Sequence, residues 1–278
     1  MKKLAKHLAK TGLQLLCFIA PPMAGKFAAR AFTSTRNEAN PPRQAFTPIG
    51  AKVITFKKLH SKVKNIYVWG EKGEIVLLVH GWGADCGSMF GFISPMLKLG
   101  YRVATFDGPA HGASEGSRTT MAEYVADTQF VIEQIGDVSR VIAHSLGGIV
   151  AMAALKPFPN IKQLALVSAP CSLLDVLDIW SQGHMKLAPK VKRYILKQLL
   201  KDNGVPVSYW DISVHGKEWL GEALVLHDKH DPIVNHYHAE LIAAVLPFSK
   251  KKLFSALGHI QILSDKSVHQ AIGDFFKP

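Results

Sequence analysis

Cysteine is scarce in this chain of 278 residues: only Cys17, Cys86 and Cys171 are present. Three thiols so far apart exclude a disulfide framework and offer no close metal-ligand pair. A reducing, cytoplasmic compartment is the default for such usage. No apolar run reaches the roughly 20 residues that a membrane span needs. Internal periods of solenoid or propeller type are missing, and so are low-complexity blocks, which excludes repeat architectures and disorder. Acid is nearly absent from the start of the chain. Residues 1–64 carry 13 Lys/Arg against the single Glu38, whereas the remainder balances 20 basic against 20 acidic side chains. The net charge of +12 therefore belongs to the first segment and the body is neutral. Nucleic-acid binding would need a basic face plus a reading module, and no such module is present. With 48% hydrophobic and 19% charged residues, the body has ample material for a core. A single domain of this size buries about three quarters of its unfolded surface.

Residues 1–45 form a basic, amphipathic segment distinct from the rest. Lys2, Lys3, Lys6 and Lys10 precede the apolar stretch Leu13–Ala20, an arrangement similar to a secretion signal. Gln14 inside the stretch, Pro21-Pro22 at its end and the return of basic residues at Lys26 and Arg30 argue against secretion. Leu4, Leu8, Leu15 and Ile19 fall near helical spacing, as do Met23, Phe27 and Ala31. Two amphipathic pieces are expected across residues 1–36, packing on the body or making peripheral contact with a membrane surface.

From residue 46 to 278 short apolar runs alternate with helical patterns, the signature of an α/β fold with a mostly parallel sheet. Eight strands are predicted at 51–56, 65–69, 75–79, 101–106, 139–143, 163–168, 222–227 and 251–256. Helices are predicted at 88–98, 120–136, 146–156, 234–246 and 266–275. The interval 171–218 has its own helical pattern and reads as a cap inserted over the carboxyl ends of the strands, where open α/β sheets bind ligands. Within it Lys186, Lys190, Lys192, Arg193, Lys197 and Lys201 form an acid-free basic run with an apolar face at Val191, Tyr194, Ile195 and Leu199. A solvated outer face explains that run; attraction of an anionic substrate or lipid surface is the functional alternative.

Four segments carry chemistry. Ala143-His144-Ser145-Leu146-Gly147-Gly148 joins an apolar strand to a helix start, the context of a nucleophile elbow. Gly147 fits that pattern, whereas Ala143 stands where glycine is usual. His80-Gly81-Trp82-Gly83 follows the third strand, where a loop of backbone N–H groups can stabilise an oxyanion. Trp82 and Leu146 are the expected N–H donors. A hydroxyl nucleophile also needs a base oriented by a carboxylate. The segments after the last two strands supply them: His227-Asp228-Lys229-His230-Asp231, and Gly258-His259.

With Asp107-Gly-Pro-Ala-His-Gly-Ala-Ser114, these segments give the chain a resemblance to the α/β-hydrolase superfamily over roughly residues 50–278. The resemblance implies an eight-stranded α/β-hydrolase fold with helices on both faces and a small helical cap. It makes Ser145 the nucleophile, His259 the general base and Asp231 its orienting acid, with Asp228 as a rival acid read as a turn residue. Asp175 and Asp178 are acids only in families that place the acid after the sixth strand. The expected activity is a serine hydrolase of carboxylic esters or thioesters, needing neither cofactor nor metal. A peptidase or amidase, a cofactor-free perhydrolase, a C–C hydrolase and a non-enzymatic binder on the same fold are the alternatives. Substrate-binding residues and oligomeric state are not specified. His227, His230, His236 and His238 crowd one region, but i, i+2 histidines do not share a helix face and a metal site is not expected. His111 and His144 read as hydrogen-bonding neighbours, and Cys86 and Cys171 as buried thiols.

Overall fold

The computed structural model describes residues 12, 15–35, 48–56, 61–182 and 187–277. The expected lysines and leucines at 2–10, Leu13, and Lys186 of the basic run lie outside the described residues.

Eight strands form one sheet: β1 (Lys52–Thr55), β2 (Asn65–Trp69), β3 (Ile75–Val79), β4 (Arg102–Phe106), β5 (Val138–His144), β6 (Gln163–Val167), β7 (Glu222–Asp228) and β8 (Ser249–Phe254). Their order is β1-β2-β4-β3-β5-β6-β7-β8, with β1, β2 and β4 paired antiparallel and every other pairing parallel. All five residues of β3 are buried because helices cover both faces of the sheet. Its side chains alternate between two cores: Ile75, Leu77 and Val79 join one, Val76 and Leu78 the other. At the sheet's edge β8 exposes Lys250, Lys251 and Lys252, charge that discourages pairing with a further strand.

The helices are α1 (Pro21–Phe32), α2 (Ile93–Lys98), α3 (Met121–Ile135), α4 (Leu146–Ala154), α5 (Leu173–Trp180), α6 (Pro189–Asn203), α7 (Ile212–His215), α8 (Tyr237–Val245), α9 (Gly258–Gln261) and α10 (Lys266–Phe276). Local chemistry sets their ends. Thr120 and Glu123 form a reciprocal capping box on α3, and Gly204 closes α6 in a left-handed conformation. The single helix expected over 88–98 is two pieces, a 3₁₀ run at Cys86–Phe92 and then α2. Asp85 caps the 3₁₀ run through Ser88 N–H, and Pro95 falls in the first turn of α2, where its missing N–H costs nothing. The last strand begins two residues earlier than expected, because its exposed lysines carry little hydrophobic signal.

The sheet's order reverses around β3, and ligand sites of open α/β sheets form at such a switch point beyond the strands' carboxyl ends. Between β6 and β7 the chain leaves the sheet to form α5, α6 and α7 on that side. Helix α1 packs against α6 through Gly25, where a Cβ would fall 2.3 Å from Tyr194 Cβ. Its inward face is Ala24, Gly25, Ala28 and Ala29. Met23 and Phe27, which the sequence spacing placed on an apolar face for packing on the body or for a membrane surface, are exposed, since only small residues admit so close an approach to α6.

Candidate active site

Ser145 leaves β5 with φ 52° and ψ −130°, a strained backbone for a residue with a side chain. Its N–H still donates to Val167 O at 2.9 Å, so the sheet holds the turn in place. A Cβ at Gly147 would lie 2.5 Å from His80 O and 2.8 Å from Val79 O. Glycine there is a packing requirement of the turn. Ala143, the departure from the usual glycine, is fully buried within β5.

His259 sits in α9, just past β8, and Asp231 in the loop after β7. His259 Nδ1–H donates to Asp231 Oδ2 at 2.7 Å, and His259 Nε2 lies 3.0 Å from Ser145 Oγ. A carboxylate only accepts, so the imidazole proton is on Nδ1 and Nε2 is left to accept the serine hydroxyl. Asp231 Oδ1 accepts the N–H groups of Ile233 and Val234 at 2.8 and 2.9 Å. Burial alone would raise this carboxyl's pKa; hydrogen bonds from His227 and His259 outweigh it and hold the group well below the usual carboxylate range.

Asp228, the rival acid of the sequence reading, has different partners. Asp228 Oδ1 accepts His230 N–H at 2.8 Å and Oδ2 accepts Leu257 N–H at 2.9 Å. It ties the end of β7 to the loop that delivers His259. Asp175 and Asp178 lie in α5, where Asp178 pairs with Lys192 at 2.7 Å.

Two histidines are built into the site: His227, which the sequence placed only in a crowd of histidines, and His144, which it read as a hydrogen-bonding neighbour. His227 Nε2–H faces both Val234 O at 2.9 Å and Asp231 Oδ2 at 3.4 Å, so it approaches the same carboxylate oxygen that accepts from His259. His144 Nε2–H donates to the carbonyl of His259 at 3.0 Å, with the two rings 4.8 Å apart. Burial first, and the neighbouring His259 second, lower the His144 pKa to about 3. A histidine depressed in the folded state is protonated more readily once unfolded. The stability tied to its neutral form is complete above the ordinary imidazole value of about 6.5 and is lost as pH falls toward the folded value. Melting temperatures of wild type and His144→Asn across this range are expected to converge as pH falls; a constant gap would contradict this account.

A hydrogen-bonded frame holds the loop after β3. Gly108 N–H donates to His80 Nε2 at 2.9 Å, and Gly83 N–H donates to His111 Nε2 at 3.0 Å. Asp107 accepts the N–H groups of Cys86 and Ala113 at 2.8 and 2.9 Å. Trp82 and Leu146, the expected oxyanion donors, line the same cavity as Ser145. Cys86 and Cys171 are buried; burial pushes both thiols up, that of Cys171 to about 11. His238 accepts Cys171 N–H at 3.2 Å. Among the described residues no group of three or more His, Cys, Asp or Glu is placed to hold a metal ion.

Ser145 and His259 open into a cavity of about 790 Å³. Leu173, Val176, Ile179 and Trp180 of α5 line one side, with Val207 and Trp210 beyond them. The rest of this wall comes from far along the chain: Ala31, Phe32, Thr33, Ser34 and Thr35. Phe32 meets Trp180 edge to face at 5.3 Å, Arg118 donates to Thr33 Oγ1 at 2.9 Å, and Thr35 Oγ1 donates to Ala110 O at 2.5 Å. Sequence reasoning missed this part of the wall. Nothing local in residues 31–35 signals a partner more than 100 residues away.

This strand order, with an antiparallel second strand and a strand–turn–helix at the switch point, defines the α/β-hydrolase class of fold. The chain belongs to the alpha/beta hydrolase family, whose profile matches residues 76–266. Part of it is similar to pimeloyl-[acyl-carrier protein] methyl ester esterase of Methylococcus capsulatus, 35% identical over 89 residues, 32% of this chain and 34% of that protein. A longer similarity, 23% identity over 234 residues, links 68% of this chain to 82% of 2-hydroxy-6-oxo-6-phenylhexa-2,4-dienoate hydrolase of Burkholderia cepacia. Among solved structures, the bromoperoxidase of Bacillus anthracis superposes with a TM-score of 0.60 at 18% identity, covering 78% of this chain and 96% of that one.

Proposed function

We propose that this protein is a serine hydrolase that cleaves carboxylic esters or thioesters through an acyl-enzyme intermediate. One observation carries the reading: the continuous hydrogen-bond line Asp231–His259–Ser145, with distances of 2.7 and 3.0 Å. Ser145 Oγ attacks the carbonyl carbon while His259 Nε2 takes the hydroxyl proton. The ionised Asp231 keeps His259 in the correct tautomer and stabilises the imidazolium that forms. The N–H groups of Trp82 and Leu146 receive the oxyanion. His259 then returns its proton to the departing alcohol or thiol as the carbon–oxygen or carbon–sulfur bond breaks. Water, deprotonated by the same imidazole, attacks the acyl-serine and releases the acid. No step requires a metal or cofactor. The helical insertion and the Ala31–Thr35 wall act together as the cap, and their apolar side chains suit an acyl chain.

Labelling by a fluorophosphonate, followed by turnover of esters from acetyl to dodecanoyl, tests this reading. Absence of both labelling and turnover would refute it. Similarity to the Burkholderia cepacia enzyme favours a second reading, carbon–carbon hydrolysis on the same residues. A vinylogous diketone in the same panel separates the two, and amide and perhydrolysis arms cover the remaining alternatives.

The cavity wall makes a further expectation specific. Phe32→Ala removes the ring that meets Trp180 and lengthens the space available to an acyl chain. The kcat/KM for long-chain esters relative to short ones is expected to rise several-fold, toward the roughly tenfold that one methylene's worth of pocket contact supplies. A uniform loss at every chain length would place Phe32 outside the acyl subsite.

A further inference from the structure

The helical segment at residues 15–32 is built inside out for a helix that merely packs on a soluble body. Its inward face is small, with Ala24, Gly25, Ala28 and Ala29 buried against α6. Its large apolar side chains face away. Leu15, Phe18, Ile19, Met23 and Phe27 are 59%, 78%, 70%, 64% and 56% exposed. Within residues 15–19 and, past the break at Ala20, within α1, these residues, with Lys26 and Arg30, recur at three- and four-residue intervals, so each piece carries them as a stripe on one exposed face. A contiguous exposed apolar stripe of this kind marks an interaction surface.

The surroundings of the stripe are cationic. Lys26 and Arg30 lie within it, and no acid occurs between residues 15 and 35. On the adjoining helix α6, Lys190, Arg193, Lys197 and Lys201 are exposed at intervals of three, four and four residues, which puts them on one face. Lys190 Nζ sits 5.0 Å over the Phe18 ring, so the two helices' outer faces meet. Apolar side chains along one line and cations beside them match a bilayer interface: the rings enter the acyl boundary while ammonium and guanidinium groups meet anionic headgroups. A polypeptide partner for so much positive charge would have to supply acids as well as an apolar groove, and a second copy of this chain presents the same sign of charge. Among the described residues no helix is long and apolar enough to cross a membrane.

We infer that the outer face of residues 15–30 and α6 docks peripherally on anionic membranes. The docking does not depend on the hydrolase reading, because none of its side chains touches Ser145, His259 or Asp231. Helix α1 ends in Ala31 and Phe32, which wall the cavity, so one element carries both the docking stripe and part of the pocket.

The test is co-sedimentation of the full chain with vesicles of phosphatidylcholine alone or mixed with phosphatidylserine. Binding is expected to the mixed vesicles at low salt, and to weaken as salt shortens the reach of the charges. Phe18→Ser with Met23→Ser should abolish it. Lys190→Glu with Arg193→Glu should weaken it by about fivefold or more for each cation lost. Both variants should keep wild-type melting temperature and fluorophosphonate labelling, since all four side chains are in solvent. The second pair keeps the test informative if the first perturbs α1. Absence of binding to mixed vesicles at low salt, equal binding to neutral vesicles, or binding indifferent to both variants would overturn the inference. So would a lipid-free dimer in analytical ultracentrifugation that the Phe18/Met23 variant dissociates, because a second copy would then own the face.

Discussion

Replacing Ser145 by alanine is expected to lower ester hydrolysis by about 10⁴- to 10⁶-fold, because nucleophile, base and acid act as a unit whose members cannot substitute for one another. The change removes one oxygen from a side chain whose backbone is held independently, by the N–H donation to Val167 O and by the tight approach of Gly147 to His80 O. The fold and the melting temperature should therefore be retained. Alanine inherits the positive φ of Ser145 but loses the Oγ that lies 3.0 Å from His259 Nε2. Residual turnover would reflect oxyanion stabilisation and substrate positioning alone. The measurement is kcat/KM on the best ester of the panel, with labelling by a serine-directed phosphonate in parallel. A variant that still takes the label has its nucleophile elsewhere.

The second large effect separates two aspartates three residues apart. Asp231→Asn is expected to cost about 10⁴-fold in turnover, because an amide can donate to His259 Nδ1 and so favours the wrong tautomer. It also removes the charge that stabilises the imidazolium, and it places an NH₂ or amide oxygen against His227 Nε2–H, now 3.4 Å from Asp231 Oδ2. Asp228→Asn acts on stability instead. Its carboxylate receives backbone N–H groups of His230 and Leu257, which hold its pKa below the usual value although burial opposes this. An asparagine keeps one acceptor oxygen and loses the other, and charge-assisted hydrogen bonds of this type are worth about 1.5–3 kcal/mol each. Melting temperature should fall, with kcat changed little at matched folded fraction. The reverse ranking, stability lost at Asp231 and turnover lost at Asp228, would reassign the acid.

Much of the architecture can be read from local pattern because the physics that forms it is local. Ile75-Val76-Leu77-Leu78-Val79 can only be a strand covered on both faces, and its ends coincide with β3. The strand–Ser–x–Gly–helix pattern places Ser145 on a sharp turn because glycine alone fits 2.5 Å from a carbonyl oxygen. The residues after β7 and β8 reach the same sheet edge as Ser145 because parallel strands share a polarity. Where the hydrophobic signal is weak, as in Ser249–Phe254 with its three lysines, the boundary shifts by two residues.

What the chain by itself determined is where the candidate groups stand along the strands: a serine at a strand–turn–helix, a Gly-rich loop after β3, and aspartates and a histidine after the last two strands. Each depends on residues close together in sequence, where turn geometry, period and side-chain chemistry suffice. Choosing between Asp228 and Asp231 was different, because the two sit in one loop and their tasks diverge only when His259 and the backbone of Leu257 arrive from β8. Likewise His144 gains its partner, the carbonyl of His259, only through folding, and so do Ala31–Thr35, which reach the cavity because small residues let α1 press onto α6. The same packing turns Met23 and Phe27 outward, against the usual direction of large apolar side chains. Contacts between segments this distant depend on shape and volume in three dimensions, and no spacing along the chain encodes them.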